Sequence, residues 1–305
     1  MVYCAIAQRK KLSKNEWVYL AMLLPGVVLL LVFNYFPMGG IVIAFEKFMP
    51  AKGIFHSSWV GLQNFKYMLQ IPEIGQIMFN TVFIACSKLI LGLVVPIVFA
   101  LLLNEVMHTF YKRMVQTIVY LPHFLSWVIM AITVKQMFSL NGIVNKVIEA
   151  LGGEPVMFLS NSNWFVGIIV GSDVWKGFGW GTIIYLAAIS NISPNLYEAA
   201  EMDGASKLQQ VWHVTLPGML PTIVLMATLS LGNILNAGFD QIFNMYSTLV
   251  YDKADIIDTY VYRIGLVKAQ YGLSTAVGLL KSVVSTFLIV TSYRLAGKFA
   301  NYRIF

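Results

Sequence analysis

The chain has 305 residues, of which 58% are hydrophobic and only 11% charged, with a net charge of +7 and a mean hydropathy of +0.72. A soluble domain carries about 25% charged residues, so this chain cannot cover its own surface with polar groups and a freely soluble domain is excluded. The bilayer is the expected solvent, and the positive charge reads as membrane anchoring rather than nucleic-acid binding.

A membrane-crossing helix requires about 20 mostly apolar residues. Six windows meet that length, near 17–36, 78–103, 114–137, 164–189, 216–235 and 274–295. Barrel strands would be about half as long and would alternate in polarity. The expected fold is therefore an all-α membrane protein, a bundle of six spans occupying 17–305 behind a basic tail, 1–16. The tail holds Arg9, Lys10, Lys11 and Lys14. The apolar run after it is too long for a secretory signal, and no small-residue cleavage site follows, so the first helix is expected to stay uncleaved.

Lys and Arg favour the cytoplasmic side of a membrane. With the N-terminus inside, the inner segments hold ten such residues and the longer outer loops only seven. Both termini are thus expected to be cytoplasmic. Three outer loops result, near 46–77, 138–163 and 236–273, long enough to receive an outside partner. Within them, Ile143, Val147, Ile148 and Leu151 stand at helical spacing. Cys4 in the tail and Cys86 in the second span lie on opposite halves of the membrane, so no disulfide is expected, and no Cys/His cluster suggests a metal.

The inner loop 190–215 departs from this apolar background. "SPNLYEAAEMDGASKLQQVWHVTLP" (193–217) opens with Ser193 as a possible cap and Pro194 at a first helical position, with Glu198 three residues after Asn195. Glu198, Glu201 and Asp203 suit the positive end of a helix dipole. Gly204 interrupts, and an amphipathic piece runs from Ala205 to the fifth span. Ala199, Ala200, Gly204 and Ala205 are small, and helices that lie flat on lipid are basic and bulky instead. A helix–Gly–helix element facing a protein partner is expected.

The spacing within that loop is Glu198-Ala199-Ala200, three residues, Gly204, nine residues, Val214, one residue, Leu216-Pro217. It resembles the EAA motif of the permease subunits of bacterial ABC importers, with Val214 where the family pattern has Ile. "VGLQNF" (60–65), "GIVNKVIEALGG" (142–153) and "GNILNAGFDQIF" (232–243) are similar to the carbohydrate-importing branch, and within it to the polysaccharide and complex-oligosaccharide permeases. The resemblance implies a type I importer permease that translocates an oligosaccharide. It implies Glu198, Ala199, Ala200, Asp203, Gly204, Ala205, Leu216 and Pro217 as the ATPase-coupling element. It also implies a second homologous permease as heterodimer partner, two cytoplasmic ATPase subunits and an extracytoplasmic solute-binding protein. No GxxxxGK[ST] loop occurs, so ATP and Mg are expected in the partner ATPases and no cofactor in this chain.

Charged residues inside spans are costly and suggest function. Lys88, Asp173, Lys176 and Lys281 lie within the expected spans, and Asn233, Asn236 and Asp240 at the outer end of the fifth. Trp175, Trp180 and Tyr185 offer ring faces for a sugar. These ten residues are the substrate-path candidates, although Asp173 and Lys176, three apart, could instead pair on one helix face. Three lysines against one aspartate would favour an acidic glycan. The rival expectations are a permease for a polyol or peptide, an ion-driven secondary transporter, and a membrane scaffold that does not transport.

Overall fold

A computed structural model describes residues 14–299; the rest of the basic tail, Cys4 and the last six residues lie outside them. The first apolar window becomes a continuous stretch, Trp17–Phe45, whose most apolar 18 residues have a mean hydropathy of 2.2. Helix Lys14–Leu30 passes through a wide turn, Leu31–Tyr35, and one α turn, Phe36–Met38, before tightening at Gly39–Phe45. Only its last part, Gly39–Phe45, packs well on the bundle, against helix Tyr271–Phe299. A two-residue antiparallel pair follows, with Glu46 opposite Trp59 and Lys47 opposite Ser58.

Helix Ile74–Asn104 spans 31 residues, about 46 Å at 1.5 Å per residue. Its main partner is helix Ser162–Ser190, started by Asn161, whose side-chain oxygen accepts from the backbone N–H of Asn163 (3.0 Å) and Trp164 (3.4 Å). Around this pair, Ile84, Phe165, Ile169, Ile242, Val250 and Ile256 close the largest apolar core. Inside a bilayer such packing, and not the exclusion of water, holds helices together.

Two windows fold differently from the expectation. Residues 114–137 are not one continuous helix. Helix Thr109–Tyr120 ends in a tight turn, Leu121–Phe124, and Trp127–Met137 leaves at 108°. Pro122 lacks the N–H that would continue the helix, and Ser126 starts the next one by accepting from Ile129 N–H at 3.4 Å. The fifth window is helical only to Leu231. It begins earlier than expected, because Lys207–Gln210 runs through a wide turn, Val211–Thr215, directly into Leu216–Leu231. Residues 232–238 then unwind before helix Phe239–Met245.

By length and composition, four described helices can cross a membrane, or five with the bent pair counted as one span. Helix Ser162–Ser190 has the length at 29 residues. Its glycines, Asp173 and Lys176 keep it below the apolarity of the others, and it is the helix most enclosed by its neighbours. The expected six spans thus correspond to four apolar helices, one broken pair and one polar central helix.

Candidate functional site

The loop that stood out in the sequence is a helix, a glycine turn and a second helix. Helix Pro194–Met202 starts after Ser193, whose side chain makes no capping bond. The side-chain cap sits on the second piece instead, where Gln209 Oε1 accepts from Ser206 N–H (2.7 Å) and Oγ (2.9 Å). Between them Gly204 adopts φ +76°. Ala205 N–H donates to Ala200 O at 2.9 Å and Gly204 N–H to Glu201 O at 3.0 Å. Those two bonds around a left-handed glycine form a Schellman motif, which satisfies carbonyls the helix end would leave bare.

Tyr197 Oη and Thr215 Oγ1 share a 3.1 Å hydrogen bond that ties the first piece to the base of the following helix. The ion pair within the element joins Lys207 to Glu201 at 3.0 Å, not to Glu198. The hydrogen bond from Lys207 holds the Glu201 carboxyl below its ordinary value. Glu198, Ala199, Asp203, Gly204 and Pro217 are exposed, and Ala200, Ala205 and Leu216 half-buried. The same surface exposes apolar side chains, with Met202 at 89%, Leu208 at 69% and Trp212 at 63%. Small residues flanked by bare apolar ones suit close contact with another surface.

The ten path candidates do not gather in one cavity. Lys88 and Asp173 meet at 3.3 Å across two helices. Lys88 Nζ also donates to Ala237 O at 2.7 Å and to Gln241 Oε1. Gln241 Nε2 in turn donates to Ile169 O (2.7 Å) and Ser172 Oγ (2.9 Å). Lys88 is only 8% exposed and its three N–H donors have three acceptors. It therefore binds the bundle together and offers nothing to a sugar.

Asp173 thus pairs away from Lys176. Lys176 Nζ reaches the carbonyls of His123 (2.7 Å) and Leu125 (2.6 Å), which the broken helix leaves without backbone partners, and that of Pro122 (3.3 Å), which also accepts from Leu125 N–H at 3.2 Å. Trp180 stacks on His123 at 4.8 Å and meets Phe124 edge-on. Tyr185 is 2% exposed, packed among Ala100, Ile189 and Met219, so it belongs to the core and not to a path. Lys281 is held by both oxygens of Asp258, at 2.6 and 2.7 Å. With each lysine engaged, the expectation that free lysines select an acidic glycan loses its footing.

Trp175 remains open, bordering an apolar cleft of about 630 Å³ with Phe138, Phe158 and Trp164. Asn233, Asn236 and Asp240 are exposed on and beside the unwound segment. Sequence reasoning missed three anchors at the end of the bundle opposite the 190–215 loop. Asp255, 2% exposed, takes both guanidinium arms of Arg263 and the Thr259 hydroxyl (2.7 Å). Asp258 is the second and Gln241 the third. The i, i+4, i+8 spacing of Asp255, Thr259 and Arg263 was a readable signal for the first.

A bundle of long apolar helices that spends its buried polar groups on joining its own helices, with an exposed helix–Gly–helix loop, is the build of an integral membrane protein. The chain belongs to the binding-protein-dependent transport system inner membrane component family, which matches residues 92–298. It is 42% identical over 295 residues to the protein LplB of Bacillus subtilis (strain 168), covering 96% of this chain and 92% of that one. It is likewise 42% identical over 296 residues to the polygalacturonan/rhamnogalacturonan transport system permease protein YteP of the same organism, covering 97% of this chain and 92% of that one. It superimposes with a TM-score of 0.86, at 38% identity, on a chain of the crystal structure of a bacterial ABC transporter involved in the import of the acidic polysaccharide alginate, covering 94% of this chain and 97% of that one. The fold is that of a type I importer permease. The chain is a non-enzymatic membrane component that works with a second permease, ATPase subunits and a solute-binding protein.

Proposed function

We propose that this permease passes an acidic oligosaccharide, such as a short uronate chain, through the membrane after an extracytoplasmic binding protein delivers it. Two relatives support the acidic class: the polygalacturonan/rhamnogalacturonan permease and the alginate importer. The loop 190–215 faces the cytoplasm and seats in an ATPase subunit, with both termini on that side, as the Lys and Arg density of the sequence favours. The single observation carrying the coupling role is the exposed helix–glycine–helix loop with its bare Met202, Leu208 and Trp212.

Closure of the ATPases on ATP moves this loop as a rigid body, because its two pieces are tied by the Schellman bonds and by Tyr197–Thr215. Glu198 anchors the loop to the ATPase, with Ala199, Ala200, Asp203 and Ala205 at the contact and Leu216-Pro217 joining it to the span. The motion reaches the bundle through the continuous helix 207–231 and re-aims the unwound segment at its far end. There Asn233, Asn236 and Asp240 hydrogen-bond the glycan, and Trp175, on the border of the apolar cleft, offers its ring face.

Competition for uptake tests the substrate class. The assembly is supplied with labelled oligogalacturonate and an excess of unlabelled competitor. Unlabelled oligogalacturonate or alginate oligosaccharide suppresses uptake at concentrations about tenfold below those at which a neutral arabino-oligosaccharide acts, a discrimination of about 1.4 kcal/mol. Equal or stronger competition by the neutral glycan contradicts the reading.

A further inference from the structure

The buried ammonium of Lys88 is spent on backbone that leaves the helical path. Residues 232–238 follow the last turn of a 25-residue helix, Lys207–Leu231, and precede a short one, Phe239–Met245. Unwound backbone inside a bundle needs partners for the groups it frees. Backbone turns such as Asn236 N–H to Asn233 O (2.8 Å) supply some, and two side chains supply more: one is in the segment itself, where Asn236 Oδ1 accepts from Gly238 N–H at 3.2 Å. The other is Lys88, from the Ile74–Asn104 helix, donating to Ala237 O at 2.7 Å. Gly238, at φ +90°, lets the chain pass so near the ammonium that a Cβ there would stand 2.8 Å from Nζ.

The remaining two donors of Lys88 go to Asp173 and Gln241. One cation therefore fixes the unwound segment to helix Ser162–Ser190 and to helix Phe239–Met245 at once. Ala237 is fully buried and Leu235 nearly so, while Asn233 and Asn236, on the same few residues, are exposed. The buried half of the segment is clamped and the exposed half carries amides.

We infer that Lys88 is a positioning residue of the transport path: it never touches substrate, but sets where Asn233 and Asn236 stand. The inference rests on the reading of those two asparagines as path residues. Asp173 is the counter-ion that aims the lysine, and Gln241 takes its third donor.

The test is made on the assembled transporter in proteoliposomes, with Cys4→Ser and Cys86→Ala removing the native thiols. Asn236→Cys reports the segment and Leu249→Cys, on an exposed outer turn, serves as control. Lys88→Met alone would strand Asp173, so the brace is removed as the neutral double variant K88M/D173N. Its effect is a change of about fivefold or more in the rate at which a membrane-impermeant maleimide labels position 236, with position 249 unchanged. An unchanged rate at 236, or equal changes at both positions, overturns the inference. Uptake of labelled oligogalacturonate supplies the functional reading. In K88M/D173N the KM rises about tenfold while the maximal rate stays within about twofold, and Asn236→Ala added to it changes KM little further. Additive effects of the two changes overturn it as well. If the unaltered transporter does not carry oligogalacturonate, the substrate reading fails while the labelling comparison still decides the brace.

Discussion

Gly204 separates what the fold needs from what the partner needs. Its φ of +76° places it in the left-handed region, where a side chain other than glycine costs about 1–2 kcal/mol, with Asn and Asp at the low end. Among the described residues, no heavy atom beyond its two chain neighbours lies within 4 Å of the position a Cβ would take. Backbone strain is therefore the whole intrachain cost, about 1 kcal/mol for Gly204→Ala and less for Gly204→Asn or Gly204→Asp. A change of that size frays one exposed turn and leaves the bundle intact. Transport, however, requires the turn to seat against the ATPase, where an added carboxylate meets a surface built for a small residue. Gly204→Asp reaches the membrane at the normal level, and its thermal stability falls no more than that of Gly204→Ala. Its ATP-driven uptake drops at least about tenfold, the effect of 1.4 kcal/mol or more at the interface. Uptake is followed in proteoliposomes and stability by thermal aggregation of the purified chain. Normal transport in Gly204→Asp would refute the close approach of an ATPase to this turn. Equal losses of stability and transport across Ala, Asn and Asp would show that strain within the chain suffices.

Arg263→Met strands Asp255, which is 2% exposed, and removing one partner of such a pair costs about 3–5 kcal/mol. The variant accumulates poorly, and Asp255→Asn in the same chain restores most of the level on an expression blot. Tyr185→Ala opens a hole beside Ala100 and Met219 and costs about 3–5 kcal/mol in melting experiments. In whatever Tyr185→Ala protein assembles, the ratio of acidic to neutral glycan taken up stays as in the unaltered chain, because the ring lines the core and not the path. Lys176→Met leaves two carbonyls at the helix break, those of His123 and Leu125, without a donor, while Pro122 O keeps its bond from Leu125 N–H. At about 1–3 kcal/mol for each unsatisfied buried group, its melting temperature falls further than that of a surface change such as Lys146→Met.

The parts legible in the sequence are those encoded locally. The helix–Gly–helix loop was readable because its signals, Pro194, the acidic first turns and Gly204, sit within a few turns of one another. Even there the cap belonged to Ser206 and Gln209 and not to Ser193, since which of two candidate caps engages depends on how the chain turns between them. The break in the third window escaped an apolarity count because Pro122 changes backbone geometry and leaves hydropathy almost untouched. The polar node was closed to sequence reading for a different reason. Lys88 and Gln241 are 153 residues apart, and nothing along the chain says which lysine will meet which carbonyl. Counting charges treated Lys88, Lys176 and Lys281 as one population facing one cavity. The bundle gives each its own partner: an aspartate across a helix pair, the carbonyls of a break, and an aspartate 23 residues away.

The coupling of this chain to ATP hydrolysis is its central property, and the ATPase activity of the reconstituted assembly measures it most directly. The permease is combined with its partner permease, ATPase subunits and binding protein, and alginate or galacturonate oligosaccharides are added one at a time. The account predicts hydrolysis that rises with one acidic glycan only when the binding protein is present, and that no longer rises in Gly204→Asp. Hydrolysis that ignores both glycan and binding protein, or a Gly204→Asp assembly that responds as the unaltered one does, would contradict it.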